Sequence, residues 1–303
     1  MTLRGINPWP VGWSAGGFGV GHLIGSLNGA PRPVRAAPAR ASQVRLSPRL
    51  EAEEHARAFA ARRGPGAFKC LIREQVAKGA LERVRDPNRI AQGKSSLCGP
   101  AALVRSVASV DPVAYVDYVT NLFEFGRARL RALEVEAGED LRDYDPGTKL
   151  NHADWIALAS LRDSENFFFD YQAVENEFAG ITLPSHLEGW FEKVGFTDVI
   201  NDTNLIVDKD VSNVIAANEL YKKNYWVCLF INANMLYPED MSSGSFSANH
   251  WVVQSSRVRL IGSQINLTVF SWGEGFNQVP PVGRAMAIDD FLDNYYGYVA
   301  AKY

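Results

Sequence analysis

Cysteine is scarce in this sequence: three in 303 residues. An odd and small count argues against a disulfide-stapled secreted scaffold and makes reduced thiols the default. Long apolar runs are missing. None approaches the roughly 18 residues that a membrane span needs, so no membrane span is expected. Neither charge dominates: 31 Lys and Arg against 34 Asp and Glu give a net charge of −3 and a pI of about 6.0. That balance offers nucleic acid no electrostatic footing. Metal-ligand spacings are also absent, with no Cys-x-x-Cys and no His-x-x-x-His, so no metal is expected. There is no P-loop. The early GGFGVG string follows no strand and does not read as a nucleotide fingerprint, so no cofactor is expected. What remains, 47% hydrophobic and 21% charged, is ordinary for a soluble globular chain. Its length allows two compact domains or one domain with a long extension.

Charge is unevenly spread. Residues 1–66 hold nine arginines, no lysine and three glutamates, so the rest of the chain is acidic. The first stretch interleaves Gly16, Gly17, Gly19, Gly21, Gly25 and Gly29 with Trp9, Trp13 and Phe18, and residues 30–49 are rich in Ala, Pro and Arg. Few large apolar side chains are present there to offset ordering entropy. Residues 1–49 therefore read as a flexible basic leader, and residues 50–303 as the folded domain. The leader lacks the basic cluster and unbroken apolar run of a signal peptide.

The body begins helical. Arg49–Arg63 reads as a helix stopped by Gly64-Pro65-Gly66, and residues 67–85 as a second. A loop, 86–97, leads to a helix over Cys98–Val110. Asp111-Pro112, Asn151 and Pro184 open three more. Past residue 200 the texture changes. After the helix DVSNVIAANELYKKN come strands over Tyr225–Leu236, HWVVQSSRVRL and QINLTVFSW, and a closing helix or helix-strand element. Helices first and a mostly antiparallel sheet second give an α+β class: a helical part at about 50–200 packed on a sheet part at about 201–303.

Cys98 lies where a loop becomes a helix, in QGKSSLCGPAAL. A helix N-terminus favours thiolate over thiol, which predicts Cys98 to be the most reactive of the three thiols. Gln92, six residues upstream, is placed to donate its amide to an oxyanion together with the Cys98 N–H. Gly99, Pro100, Ala101 and Ala102 keep bulk away from the sulfur. Of five histidines, only His250 opens a buried-looking strand ahead of a second strand, which makes it the candidate base. The second strand ends at Ser271-Trp272-Gly273-Glu274, where a group orienting the imidazole would sit. Cys70 on a helix and Cys228 on a strand read as core residues. Asp154, Arg162, Asp163 and Glu165 read as a charged helix face or part of a substrate groove.

These segments, in this order, resemble the papain-like cysteine peptidase superfamily. Gln92 and Cys98 match its Gln six residues before the nucleophile, His250 its strand histidine, and Phe270-Ser271-Trp272-Gly273 its Asn-Ser-Trp-Gly segment. The Cys-Gly-Pro-Ala-Ala run is closest to bacteriocin-leader peptidases and bacterial papain-fold toxins or effectors. Phe270 stands where the family has Asn, which leaves Ser271, Glu274 or a bare Cys–His dyad as alternatives. The resemblance covers about residues 88–110 and 225–280. It implies a papain-like fold and a hydrolase acting on a protein or peptide through a thioester, with Gly99, Asn249 and Trp272 near the substrate. A transglutaminase or glutamine deamidase would use the same Cys–His chemistry, and a non-enzymatic binding module would keep the fold with a structural cysteine. By analogy with papain-fold effectors, the chain would be cytoplasmic in its producing cell and exported into a target cell. A cognate immunity protein or a secretion chaperone would be its partner.

Overall fold

The computed structural model of the chain describes residues 46–93, 95–148, 150–166, 181–204, 210–236, 250–271 and 275–303. The chain divides into Met1–Val44 and Arg45–Tyr303. The leader expectation for residues 1–45, and the assignments of Asn249, Trp272 and Glu274, lie outside the described residues.

Helices come first. α1 (Pro48–Ala60) starts at Ser47, whose hydroxyl accepts from Leu50 N–H at 3.4 Å, with Pro48 in the first turn. α2 spans Arg73–Arg85, α3 Cys98–Val110 and α4 Pro112–Phe125. Asp111 caps α4 through Ala114 N–H, and Gly126 ends it with φ 70°, a left-handed turn that a side chain would strain. A hairpin, β1 (Arg127–Leu130) and β2 (Leu133–Glu136), precedes α5 (Glu139–Asp143). Asn151 caps a continuous helical run of α6 (His152–Asp154), a π-helical turn Trp155–Ala159 and α7 (Ser160–Asn166). α8 (Pro184–Lys193) leads to β3 (Thr197–Thr203), and α9 (Val211–Lys222) follows.

The remaining elements build the sheet: β4 (Trp226–Ile231), β5 (His250–Gln254), β6 (Arg259–Ile261), β7 (Gln264–Phe270), β8 (Phe276–Val279), α10 (Ile288–Leu292) and β9 (Tyr295–Lys302). Strand order is β3-β9-β4-β5-β7-β6, with β8 also on β7. Every pairing is antiparallel. One face of the sheet, with Cys228, Phe230, Trp251, Val253 and Phe270, packs against the helical core of α1–α4 and α8. The other, with Val227, Leu229, Val252, Val269 and Tyr298, packs against α9 and α10. Alternation along each strand feeds both layers. This is the α+β class that the sequence predicts.

Several expectations need correction. The second helix begins at Arg73, not 67. Residues before it bond to distant backbone instead, Ala67 N–H to Phe123 O (2.7 Å) and Lys69 N–H to Arg142 O (3.0 Å), so they cannot enter a helical ladder. The strand predicted over His250–Leu260 breaks after Gln254, because Ser255 and Ser256 N–H both donate to Thr268 O. That leaves β6 as a separate hairpin arm. The strand predicted to Leu236 stops at Ile231, where Asn232 Oδ1 accepts from Asn234 N–H and starts a tight turn. The hairpin β1–β2, β3 and β8 were not predicted. Cys70 is not a core residue: it is exposed outside any helix, its thiol 3.4 Å from Asp143 O. Cys228 is fully buried on β4, as expected.

Candidate active site

Cys98 opens α3 and His250 opens β5; the β5 face that packs on the helical core carries Trp251 and Val253, and alternation puts His250 on the other face with Val252. Leu97 provides no side-chain cap at the start of α3, and Pro100 carries no N–H, so the Cys98 and Gly99 amides are unclaimed by capping. α3 packs across β5. The backbone amides of Trp251, Gly99 and Cys98 itself act on the Cys98 thiol and pull its pKa down.

His250 is bonded on its Nε2 side. The Ser271 hydroxyl lies 2.7 Å from that nitrogen, and both residues are buried. Register explains the contact. Val253 pairs with Phe270 and Gln254 with Val269, and one further step sets Ser271 beside Val252, on the face that His250 shares. Of the alternatives left by the sequence, Ser271 makes this contact.

A segment that sequence reasoning missed lies across the same point. Thr182 O accepts from Trp251 Nε1 at 2.8 Å, and the Trp251 ring stacks on Phe230 with centroids 4.4 Å apart. A Cβ on Gly99 would meet the Thr182 side chain at 2.4 Å, so Gly99 is small to admit Thr182. Next to it, Ile181 O accepts from Arg162 Nη1 at 3.3 Å. The Arg162 charge bears on the Cys98 thiol. Nothing in the local sequence around Thr182 signals this role. Arg162 was visible only as one member of a charged cluster.

Burial works against the thiolate expectation. Cys98 is 5% exposed and His250 2%. Burial pushes the Cys98 thiol up, and the facing amides and Arg162 only oppose that shift. Burial also pushes the His250 imidazole down, to about 3. Burial thus favours the neutral thiol and the neutral imidazole. Labelling order follows from exposure. A small alkylating reagent at neutral pH is expected to modify Cys70 first, Cys98 more slowly and Cys228 last. Time-resolved peptide mapping checks this, and Cys98 reacting ahead of Cys70 would restore the thiolate reading.

Gln92 is buried, its carbonyl accepting from the Ser95 N–H and hydroxyl at 3.2 and 2.6 Å. Its Oε1 has no hydrogen-bond partner among the described residues. An orphaned buried carbonyl oxygen is costly and calls for a donor. The loop beneath it is fixed by a buried ion pair. Asp154 receives Arg83 Nε at 2.8 Å and Nη2 at 2.6 Å, and Ala91 N–H at 3.1 Å. Burial raises the Asp154 pKa against these pulls. For Arg83, burial works downward, but the facing carboxylate outweighs it and the pKa rises. Three charge-assisted bonds on one carboxylate favour the ionised pair. Among the described residues no group of His, Cys, Asp and Glu forms a metal site, and no helix is long and apolar enough to cross a membrane. Comparison of the chain with protein-family models, curated proteins and solved structures finds no match.

Proposed function

We propose that the chain is a papain-like cysteine hydrolase that cleaves a peptide or isopeptide bond in a protein through a thioester. The observation that carries this reading is the 2.7 Å contact of His250 Nε2 with Ser271, one residue from the Trp251 amide that acts on the Cys98 thiol at the head of α3. In this reading the Cys98 sulfur attacks the carbonyl carbon as His250 takes the thiol proton. The imidazolium then returns that proton to the leaving amine, and water cleaves the thioester. Gln92 and the Cys98 N–H donate to the oxyanion, and Ser271 holds the ring so that its other nitrogen serves the sulfur. The basic leader and the Cys-Gly-Pro run support, by resemblance, an effector exported to another cell. Transfer to an amine, or deamidation of a glutamine, would share the thioester. The buried thiol gives the binding-module reading its one support.

A thiol-reactive, peptide-like probe separates these readings, followed by turnover on the substrate that a cleavage-and-deamidation screen yields. The probe is expected on Cys98. Cys98→Ala should abolish turnover while retaining substrate binding. Gln92→Ala should lower kcat about 10²–10³-fold with little change in substrate affinity, as loss of one oxyanion donor does. Wild-type turnover in Gln92→Ala with a dead Cys98→Ala would exclude this oxyanion hole. Full biological effect in Cys98→Ala would establish the binding reading.

A further inference from the structure

A cavity of about 500 Å³ opens at the other end of α3 and β5 from Cys98 and His250. Its size is that of a small-molecule site. Arg105, two turns or about 10 Å along α3 from Cys98, forms its floor. Only 7% of Arg105 is exposed. Its Nε and Nη2 share Asn88 Oδ1 at 3.1 and 2.7 Å, and its guanidinium lies over the Phe270 and Trp226 rings at 4.4 and 5.5 Å. Among the described residues no carboxylate pairs with it and its Nη1 has no hydrogen-bond partner. Burial accordingly pushes its pKa down, to about 10. A buried cation without an anion is a cost that proteins rarely carry without use.

The rest of the lining matches that charge. Lys222 and Arg257 stand at the rim, and no acidic residue lines the cavity among the described residues. Glu219 engages Lys222 at 2.6 Å, but Arg257 has no ion-pair partner there. Gln254, 3% exposed, gives its Nε2 to Asn218 Oδ1 and Ser256 O, while its Oε1 is buried with no partner. Trp226 and the 57%-exposed Phe276 add flat apolar faces. Two buried polar side chains thus present unmet hydrogen-bonding capacity to one cavity, beside cations and aromatic rings.

We propose that this cavity binds a small ligand that joins a phosphate group to a planar ring, in the manner of a nucleoside diphosphate. Arg105 Nη1 and Arg257 hold the phosphate, Trp226 and Phe276 hold the ring, and Gln254 Oε1 accepts from a ring amine or sugar hydroxyl. Titration calorimetry on the full chain with ADP, pyrophosphate and adenosine tests this. ADP is expected to bind more tightly than either fragment. Arg105→Gln should weaken ADP at least about tenfold, the loss of one charge-assisted contact. Arg257→Gln, at an exposed position that leaves the fold intact, should weaken it severalfold. Phe276→Ala should remove the advantage of ADP over pyrophosphate. Absence of ADP binding, ADP affinity unchanged in both arginine variants, or adenosine binding as tightly as ADP would each overturn the proposal. A single-stranded oligonucleotide that outcompetes ADP would overturn the small-ligand assignment.

Discussion

Asp154→Ala should cost about 3–5 kcal/mol of stability, the usual result of stranding one member of a buried ion pair. The loss is large because Arg83 is only 6% exposed, so its charge has no route to water once the carboxylate is gone. Ala91 N–H loses its acceptor at the same time. Urea unfolding at neutral pH measures the effect. The double variant Arg83→Met/Asp154→Leu is the control, since replacing both charges with apolar groups of similar volume is often neutral or better. It should recover most of the loss. A single variant within about 1 kcal/mol of wild type would show that the pair contributes little. Function should not follow stability in the double variant. Without the Asp154 anchor, the loop that carries Gln92 loses its fixed point, and turnover should fall even where the fold is restored.

His250 should make the fold sensitive to acid. Its folded pKa, about 3, lies below the ordinary value of 6.5 because burial disfavours the imidazolium. Between these values the unfolded chain binds a proton that the folded chain refuses, so stability falls as pH drops from about 6.5 toward about 3. At about 1.4 kcal/mol per pH unit, the loss between pH 7 and 4.5 is about 2–3 kcal/mol from this residue alone. Carboxylates add their own pH dependence, so the difference between wild type and His250→Gln isolates the imidazole. Glutamine keeps a hydrogen-bonding group beside Ser271 and does not titrate. Parallel stability-against-pH curves for the two proteins would show that His250 is not held neutral by the fold.

Much of this architecture is written locally. Asp111-Pro112, Asn151, Pro184 and Asp210 each mark a helix start that the structure keeps, because a cap is decided by a residue and its next three amides. Cys98 opens α3 as expected, although without a side-chain cap. The meeting of His250 with Ser271 follows from antiparallel pairing of two recognisable strands. What failed depends on partners far along the chain. Residues 67–72 look helical but spend their amides on Phe123 and Arg142. Thr182 reaches the site because a glycine eighty-three positions earlier leaves space. Cys98 illustrates the limit most clearly. Its helix position favours the thiolate, its burial opposes it, and only the folded chain decides that burial wins.

The burial of Cys98, next to the tight Gly99–Thr182 contact, turns its thiol into a built-in clock. A small thiol reagent can reach it only during transient excursions that uncover it. Where reclosing outpaces the reaction, the labelling rate is the rate for a free thiol multiplied by the fraction of time spent uncovered. The ratio of the two rates is then an opening equilibrium constant, measurable in the native protein without denaturant. Gly99→Ala, which sets a methyl group against Thr182, would bias that equilibrium toward the uncovered form.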